Sequence, residues 1–227
     1  MMSNPKVSVI MSVFNAEDTI EDCIESILSQ TFDSFELLIV NDASTDNTHK
    51  LLEKFSKEDK RIKVFINSEN IGLTKSLNSI LSKAKGKYIA RQDADDISLP
   101  KRFEKQIEFI QRRKYEIVVS RVRNLHDESI IPKFSFIIPS KILIRFKNPF
   151  IHGTLFASKD LLERLNFYNE EYYYAQDYEL FSRILKNKIK VGKIWEPLYL
   201  LNTKNNISSL FKKEQKEYAD KVRKIRT

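Results

Sequence analysis

The chain has 227 residues, of which 41% are hydrophobic, enough for one fairly large domain with an ordinary core and too much for disorder over most of its length. Its net charge of +8 is uneven: from Lys204 onward eight Lys or Arg face three Asp or Glu, so the first 203 residues carry only +3, which argues against a nucleic-acid binder. No apolar run approaches the ~18 residues of a membrane span and the start lacks a signal-like apolar stretch, so a cytoplasmic protein is expected.

Val7 to Met11 reads as an apolar strand broken only by Ser8, after which Ile20, Cys23, Ile24, Ile27 and Leu28 recur at helical spacing. That spacing makes Cys23, the single cysteine, a packed core thiol, and one thiol supports neither a disulfide nor a zinc site. Phe35 to Val40 is the second strand, and Leu51, Leu52 and Phe55 mark the helix behind it. Val64 to Ile66 is the third; Leu73, Leu77, Ile80 and Leu81 form the next helical face. Tyr88 to Ala90 is the fourth strand, Phe103, Ile107 and Ile110 the next helix, and Ile117 to Val119 a fifth short strand. This alternation predicts an α/β fold with a mostly parallel central sheet flanked by helices, and such sheets bind ligands beyond the carboxyl ends of their strands. From Arg121 to Pro149 no regular pattern stands out.

Polar clusters sit at those ends: Ser12 to Glu17 after the first strand, Asn41 to Asp46 after the second, and Gln92-Asp93-Ala94-Asp95-Asp96 after the fourth. Helix capping explains Ser44, Thr45 and Asp46 best, whereas Asp42 comes too early and is expected to face a ligand. Ser98 reads as the cap of the helix containing Pro100, which leaves the three aspartates without a structural duty. Carboxylates that repel one another without such a duty usually hold a cation. Only four glycines occur, so neither a dinucleotide fingerprint nor a P-loop can be written. A diphosphate would then be held through a divalent cation clamped by carboxylates, with Mn2+ or Mg2+ as the expected cofactor.

The segments VSVIMSVFNAEDTIEDCIESILSQTFDSFELLIVNDASTDNT, NIGLTKSLNSILSKAKGKYIARQDADD, HGTLFASKDLL and QDYELFSRIL, in this order, resemble the family-two inverting glycosyltransferases of GT-A fold over about nine tenths of the chain. The resemblance implies a nucleotide-sugar donor, a UDP-sugar above others, and a glycan or lipid-linked acceptor. It places Ser12, Phe14, Asn15, Glu17 and Asp42 at the nucleoside, Lys75 and Gln92 near the donor, Asp93 at the ribose or sugar, and Asp95, with Asp93, at the metal. It makes Asp177 the catalytic base and sets Asp96, His152 and Gln176 beside the sugar or acceptor. Residues 1–100 would form the donor-binding half and 101–203 the acceptor half. The residue types suit these roles: a metal stabilises charge on a leaving diphosphate, and an attacking hydroxyl needs a carboxylate to take its proton. With neutral Gln176 beside it, Asp177 is expected to be ionised at neutral pH, and Glu179, about 200° around the helix, is the rival base. A capping role for Asp177 and a structural one for His152 are the plainer alternatives. Two positions depart from the family: Ser12 stands where many relatives have Pro, and Lys204 where many have a His that contacts metal or diphosphate. A nucleotidyltransferase, or a non-catalytic nucleotide-binding relative, is the alternative reading.

Residues 204–227 form a basic amphipathic segment. Phe211, Tyr218, Val222 and Ile225 share one helical face and Lys and Arg crowd the rest, as in a helix lying on an anionic membrane at the inner face of the cell membrane. Packing on its own domain, or on a second subunit of a homo-oligomer, explains the same residues.

Overall fold

Four of the apolar runs become the parallel half of one sheet. In the computed structural model, which describes residues 4–204 and 211–224, β1 (Val7–Val13), β2 (Phe35–Asn41), β3 (Ile62–Ile66) and β4 (Tyr88–Arg91) pair in the order β3-β2-β1-β4. α1 (Ile20–Leu28), α2 (Thr48–Glu58) and α3 (Leu73–Leu81) connect them. Past β4 the sheet becomes mixed. β8 (Phe156–Ser158) runs antiparallel to both β4 and β6 (Ile117–Asn124), β9 (Val191–Leu201) lies parallel to β6, and β5 (Ile97–Ser98) pairs antiparallel with β9. The result is a mixed α/β fold whose first half follows the expected parallel order.

Helices cover each face of the sheet. Val7, Val9 and Met11 pack with α1, α2 and α4 (Arg102–Arg113) on one side. Ile10 packs with α3, α6 (Lys159–Arg164) and α7 (Gln176–Lys186) on the other, as the two-residue alternation of a strand dictates. Cys23 is fully buried in the first cluster, and burial pushes its thiol well above the ordinary range. Ser8 is buried without loss, since its hydroxyl donates to Glu36 Oε1 at 2.7 Å and accepts from Gly86 N at 2.8 Å.

Residues 121–149 are more regular than their sequence suggested. β6 continues to Asn124 and pairs with β7 (Ile130–Ile131); a 3-10 turn at Phe134–Phe136 and α5 (Ser140–Leu143) follow. The tail corrects a second expectation. α8 (Lys212–Lys224) packs against α7, burying Val222 to 3% exposure, and sets the Tyr218 ring edge-on to Tyr172 and Tyr174 at 6.1 and 5.9 Å. The apolar stripe expected to lie on a membrane is therefore used inside the domain; Ile225 lies outside the described residues. Among the described residues no helix is long and apolar enough to cross a membrane.

Candidate active site

The loops after β1 and β2 are knitted to each other. Asn15, at a positive φ of 49°, takes Thr45 N on its Oδ1 at 2.8 Å and gives its own N–H to Ser44 Oγ at 3.0 Å. Glu17 Oε2 accepts from Asn47 N at 2.9 Å, while Asp46 accepts from Glu17 N and Thr48 N. Ser44 thus joins the two loops and does not cap α2, whose first position follows Asn47, while Asp46 does both, since it also takes the Thr48 N–H. Phe14 stays 49% exposed on this surface and Ser12 is half-buried.

Asp42 is not free, contrary to the expectation. It is 2% exposed, and its carboxylate accepts from Asn67 Nδ2 at 2.8 Å, Ile71 N at 3.0 Å and Gly72 N at 2.9 Å. It fixes the turn into α3, whose first residues have N–H groups without helical partners. Gly72 is required there: its φ is +85°, and a Cβ would stand 2.3 Å from the Tyr173 ring. Lys75 is exposed in the first turn that follows.

The aspartate cluster after β4 divides into three different environments. Asp93 pairs with Arg91, a buried guanidinium whose Nε and Nη1 find no partner among the described residues. Asp95 is half-buried, and burial, followed by the charge of Asp93, pushes its carboxyl up to about 6. Asp96 is 1% exposed and turned to β9, where it accepts from Asn202 N at 2.6 Å and bonds Tyr199. Its carboxylate thus ties β4 to the end of β9, whereas it was expected to meet sugar or acceptor. Gln92, expected near the donor, is likewise held by internal bonds. It is fully buried, its Nε2 donates to the carbonyls of Asp93 and Asp96, and its Oε1 accepts from Ser98 and Arg102. Ser98 does not cap α4, which begins after Lys101, because its hydroxyl is committed to this network.

Arg102 organises the cluster from beneath, and no sequence pattern pointed to it. Fully buried, it donates to Gln106, Gln92 and Ser98 side chains and to the carbonyls of Arg91 and Gly153; burial lowers its pKa to about 10. Gly153, in the 3-10 turn His152–Thr154, lets that turn touch the cluster, since a Cβ would lie 2.6 Å from the Tyr199 hydroxyl and 2.9 Å from Asp93 Oδ2. His152 bonds the Tyr168 hydroxyl at 2.7 Å, and burial, then the Arg91 charge, lowers its pKa to about 3, so the ring is neutral.

Asp177 stands in the first turn of α7, and Ala175 before it holds a left-handed φ of 55°. Its Oδ2 accepts from Asn148 Nδ2 at 2.7 Å and its Oδ1 from Tyr178 N at 2.7 Å. Burial raises its pKa and the Asp93 charge adds to the shift, so the neutral neighbour Gln176 does not by itself set its ionisation. Glu179 is committed to Arg183 at 2.8 Å. Gln176 is buried at 7% exposure. Asp93, Arg91, His152, Tyr168 and Asp177 thus share one electrostatic neighbourhood, and Asp95 adjoins it. Among the described residues no three His, Cys, Asp or Glu converge as a metal cage. Asp95 nevertheless fits a hard cation, being an acidic oxygen donor held above its ordinary pKa beside a second negative charge.

The sequence profile described as Glycosyl transferase family 2 matches residues 8–166. The chain belongs to that family. As a family 2 glycosyltransferase it is 36% identical over 208 residues to the putative glycosyltransferase EpsE of Bacillus subtilis, covering 88% of this chain and 73% of the relative. It is 32% identical over 224 residues to the Escherichia coli UDP-Glc:alpha-D-GlcNAc-diphosphoundecaprenol beta-1,3-glucosyltransferase WfgD, covering 96% and 85%. The fold matches that of the mannosyltransferase PcManGT from Pyrobaculum calidifontis, solved with GDP-Man and Mn2+, at a TM-score of 0.76 and 20% identity. That match covers 99% of this chain, which spans 65% of the PcManGT chain. The nucleotidyltransferase alternative is not favoured. Lys204, exposed, donates its N–H to Asn202 Oδ1 at 3.0 Å, and residues 205–210 lie outside the described residues.

Proposed function

We propose that this family 2 glycosyltransferase moves a sugar from a UDP-sugar to a hydroxyl of a glycan or lipid-linked acceptor, with inversion and with the help of a divalent cation. The observation that carries the reading is the meeting of Asp177 with the Asp93–Asp95 strand end, two carboxylate stations from distant parts of the chain in one field. Asp95, with Asp93, would hold Mn2+ or Mg2+ together with donor oxygens, and the cation would offset charge on the leaving diphosphate. Asp177 takes the proton as the acceptor oxygen bonds to the anomeric carbon, while the bond to the diphosphate breaks on the opposite face. Asn148 fixes the carboxylate for that task from one side and the Tyr178 N–H from the other. The loops 12–17 and 41–46 with Lys75 would take the nucleoside and diphosphate, and Asp42 reaches the base only through the lone pair its three internal bonds leave open. WfgD, whose name gives UDP-glucose as donor and a diphosphoundecaprenol-linked acceptor, supports that pairing of substrates.

Asp177→Asn tests the assignment, because it keeps the size and shape of the side chain and one of its two accepted hydrogen bonds but cannot accept a proton. Sugar transfer should fall by about 10²–10⁴-fold while UDP binding measured by calorimetry is retained. Wild-type transfer by Asp177→Asn would falsify the role of the base. Equal UDP affinity with manganese and with chelator would remove the cation from the mechanism.

A further inference from the structure

The segment between β7 and the 3-10 turn at His152 presents apolar side chains to solvent. Phe134 is 81% exposed, Ile137 and Phe146 67% each, and Ile142 54%. Trp195 of β9, 50% exposed, extends the patch through Phe136, with ring centroids 5.4 Å apart. This is a built surface. Phe136 and Ile144 are anchored in the core at 3% and 1% exposure, which turns their neighbours outward. The carbonyls of the segment are occupied by side chains from behind. Lys193 donates to Phe136 O and Ile138 O, Tyr178 to Ile144 O, and Arg223 to Phe146 O, at 2.7 to 3.0 Å.

Exposed apolar clusters on soluble surfaces usually mark a binding face, and the charge around this one selects its partner. From Ser129 to Lys159 the sequence contains no Asp or Glu. Lys133, Lys141, Arg145 and Lys147 are exposed among the apolar residues, and none of the four makes an ion pair among the described residues. A second copy meeting this patch face to face would bring those four cations against their own images, so self-association is disfavoured. An acidic, partly apolar surface answers both features. We propose that residues 133–147, with Trp195, dock this protein on an anionic lipid bilayer, the aromatic and aliphatic side chains entering the interface and the Lys and Arg meeting the head groups. The docking does not rest on the catalytic reading above. It bears on it, because Lys147 is followed directly by Asn148, which holds Asp177.

Vesicle sedimentation of the full chain tests the proposal, with phosphatidylcholine alone compared with phosphatidylcholine containing phosphatidylglycerol. At low salt the protein should pellet with the anionic vesicles, and it should be released as salt shortens the screening length to a few ångström. Phe134→Ser combined with Phe146→Ser removes only exposed side chains and should weaken binding about tenfold or more. Lys133→Glu combined with Lys141→Glu should do the same through charge, at about fivefold per basic residue lost. Unchanged melting temperatures show that either variant is folded. Failure of the wild type to bind anionic vesicles at low salt overturns the proposal, as does wild-type pelleting by both double variants. A concentration-dependent dimer in analytical ultracentrifugation that the Phe134/Phe146 variant abolishes would assign the patch to a second copy instead.

Discussion

Replacing Asp95 with Asn should make the cation-free protein more stable while removing its use for a cation. Burial and the neighbouring Asp93 charge push the Asp95 carboxyl up to about 6, against an ordinary value near 4. An acid raised by roughly 2 units costs the folded state about 3 kcal/mol wherever it is ionised in both states. Asp95 is only half-buried, so solvent screening reduces this to about 1–2 kcal/mol. The sign follows from the two pKa values. Below about pH 4 the group is largely protonated folded and unfolded and little is lost; between about pH 4 and 6 the unfolded chain ionises while the folded state keeps its proton, so stability declines over that range and levels off above about 6. The amide introduced by the substitution never ionises. In EDTA, Asp95→Asn should therefore melt with the wild type near pH 4 and about 2–8 °C above it at pH 8, given the size of the domain. Circular dichroism melts across that range measure it directly. With manganese and UDP present, the wild type should gain by linkage and overtake the variant. A variant melting at or below wild type at pH 8 in EDTA would refute the electrostatic argument, since the carboxylate would then be stabilising by contacts of its own.

Asn148→Ala removes a hydrogen bond that holds the Asp177 pKa down, so the acid limb of the kcat/KM profile should move to higher pH; an unmoved limb would dissociate Asn148 from the base. Gly153→Ala puts a methyl group 2.6 Å from the Tyr199 hydroxyl and 2.9 Å from Asp93 Oδ2 and should cost about 1–3 kcal/mol in urea unfolding, with weaker cation-dependent UDP binding in calorimetry. Undiminished stability and affinity would mean that the His152–Thr154 turn can move away at no cost. Val222→Ala opens a void where α8 meets α7 and should lower stability by about 1–3 kcal/mol; no change in the urea midpoint would detach the tail from the core.

The sequence by itself determined the elements whose hydrophobic period is uninterrupted. Val7–Val13, Phe35–Asn41 and the Ile20–Leu28 helix are legible because burial of a strand between layers, or of one helical face, demands that period locally. It also determined that polar clusters gather at the ends of β1, β2 and β4, since parallel strands point the same way. Motif order carried the family. What a polar side chain does once there is set by which distant backbone it meets, and no local pattern records that. Asp93, Asp95 and Asp96 look alike in sequence; β9 arrives through Tyr199 and Asn202 to bury Asp96, Arg91 pairs Asp93, and Asp95 stays half-buried with its carboxyl pushed up to about 6. The same physics gave Asp42, Gln92 and Ser98 internal bonds that no local pattern announces, because an N–H or a guanidinium buried nearby has to be satisfied. The amphipathic tail had three partners open to it, a membrane, its own domain or a second subunit, and only the packed position of α7 decided among them. Apolar periodicity states that a face must be covered, and tertiary contacts state by what.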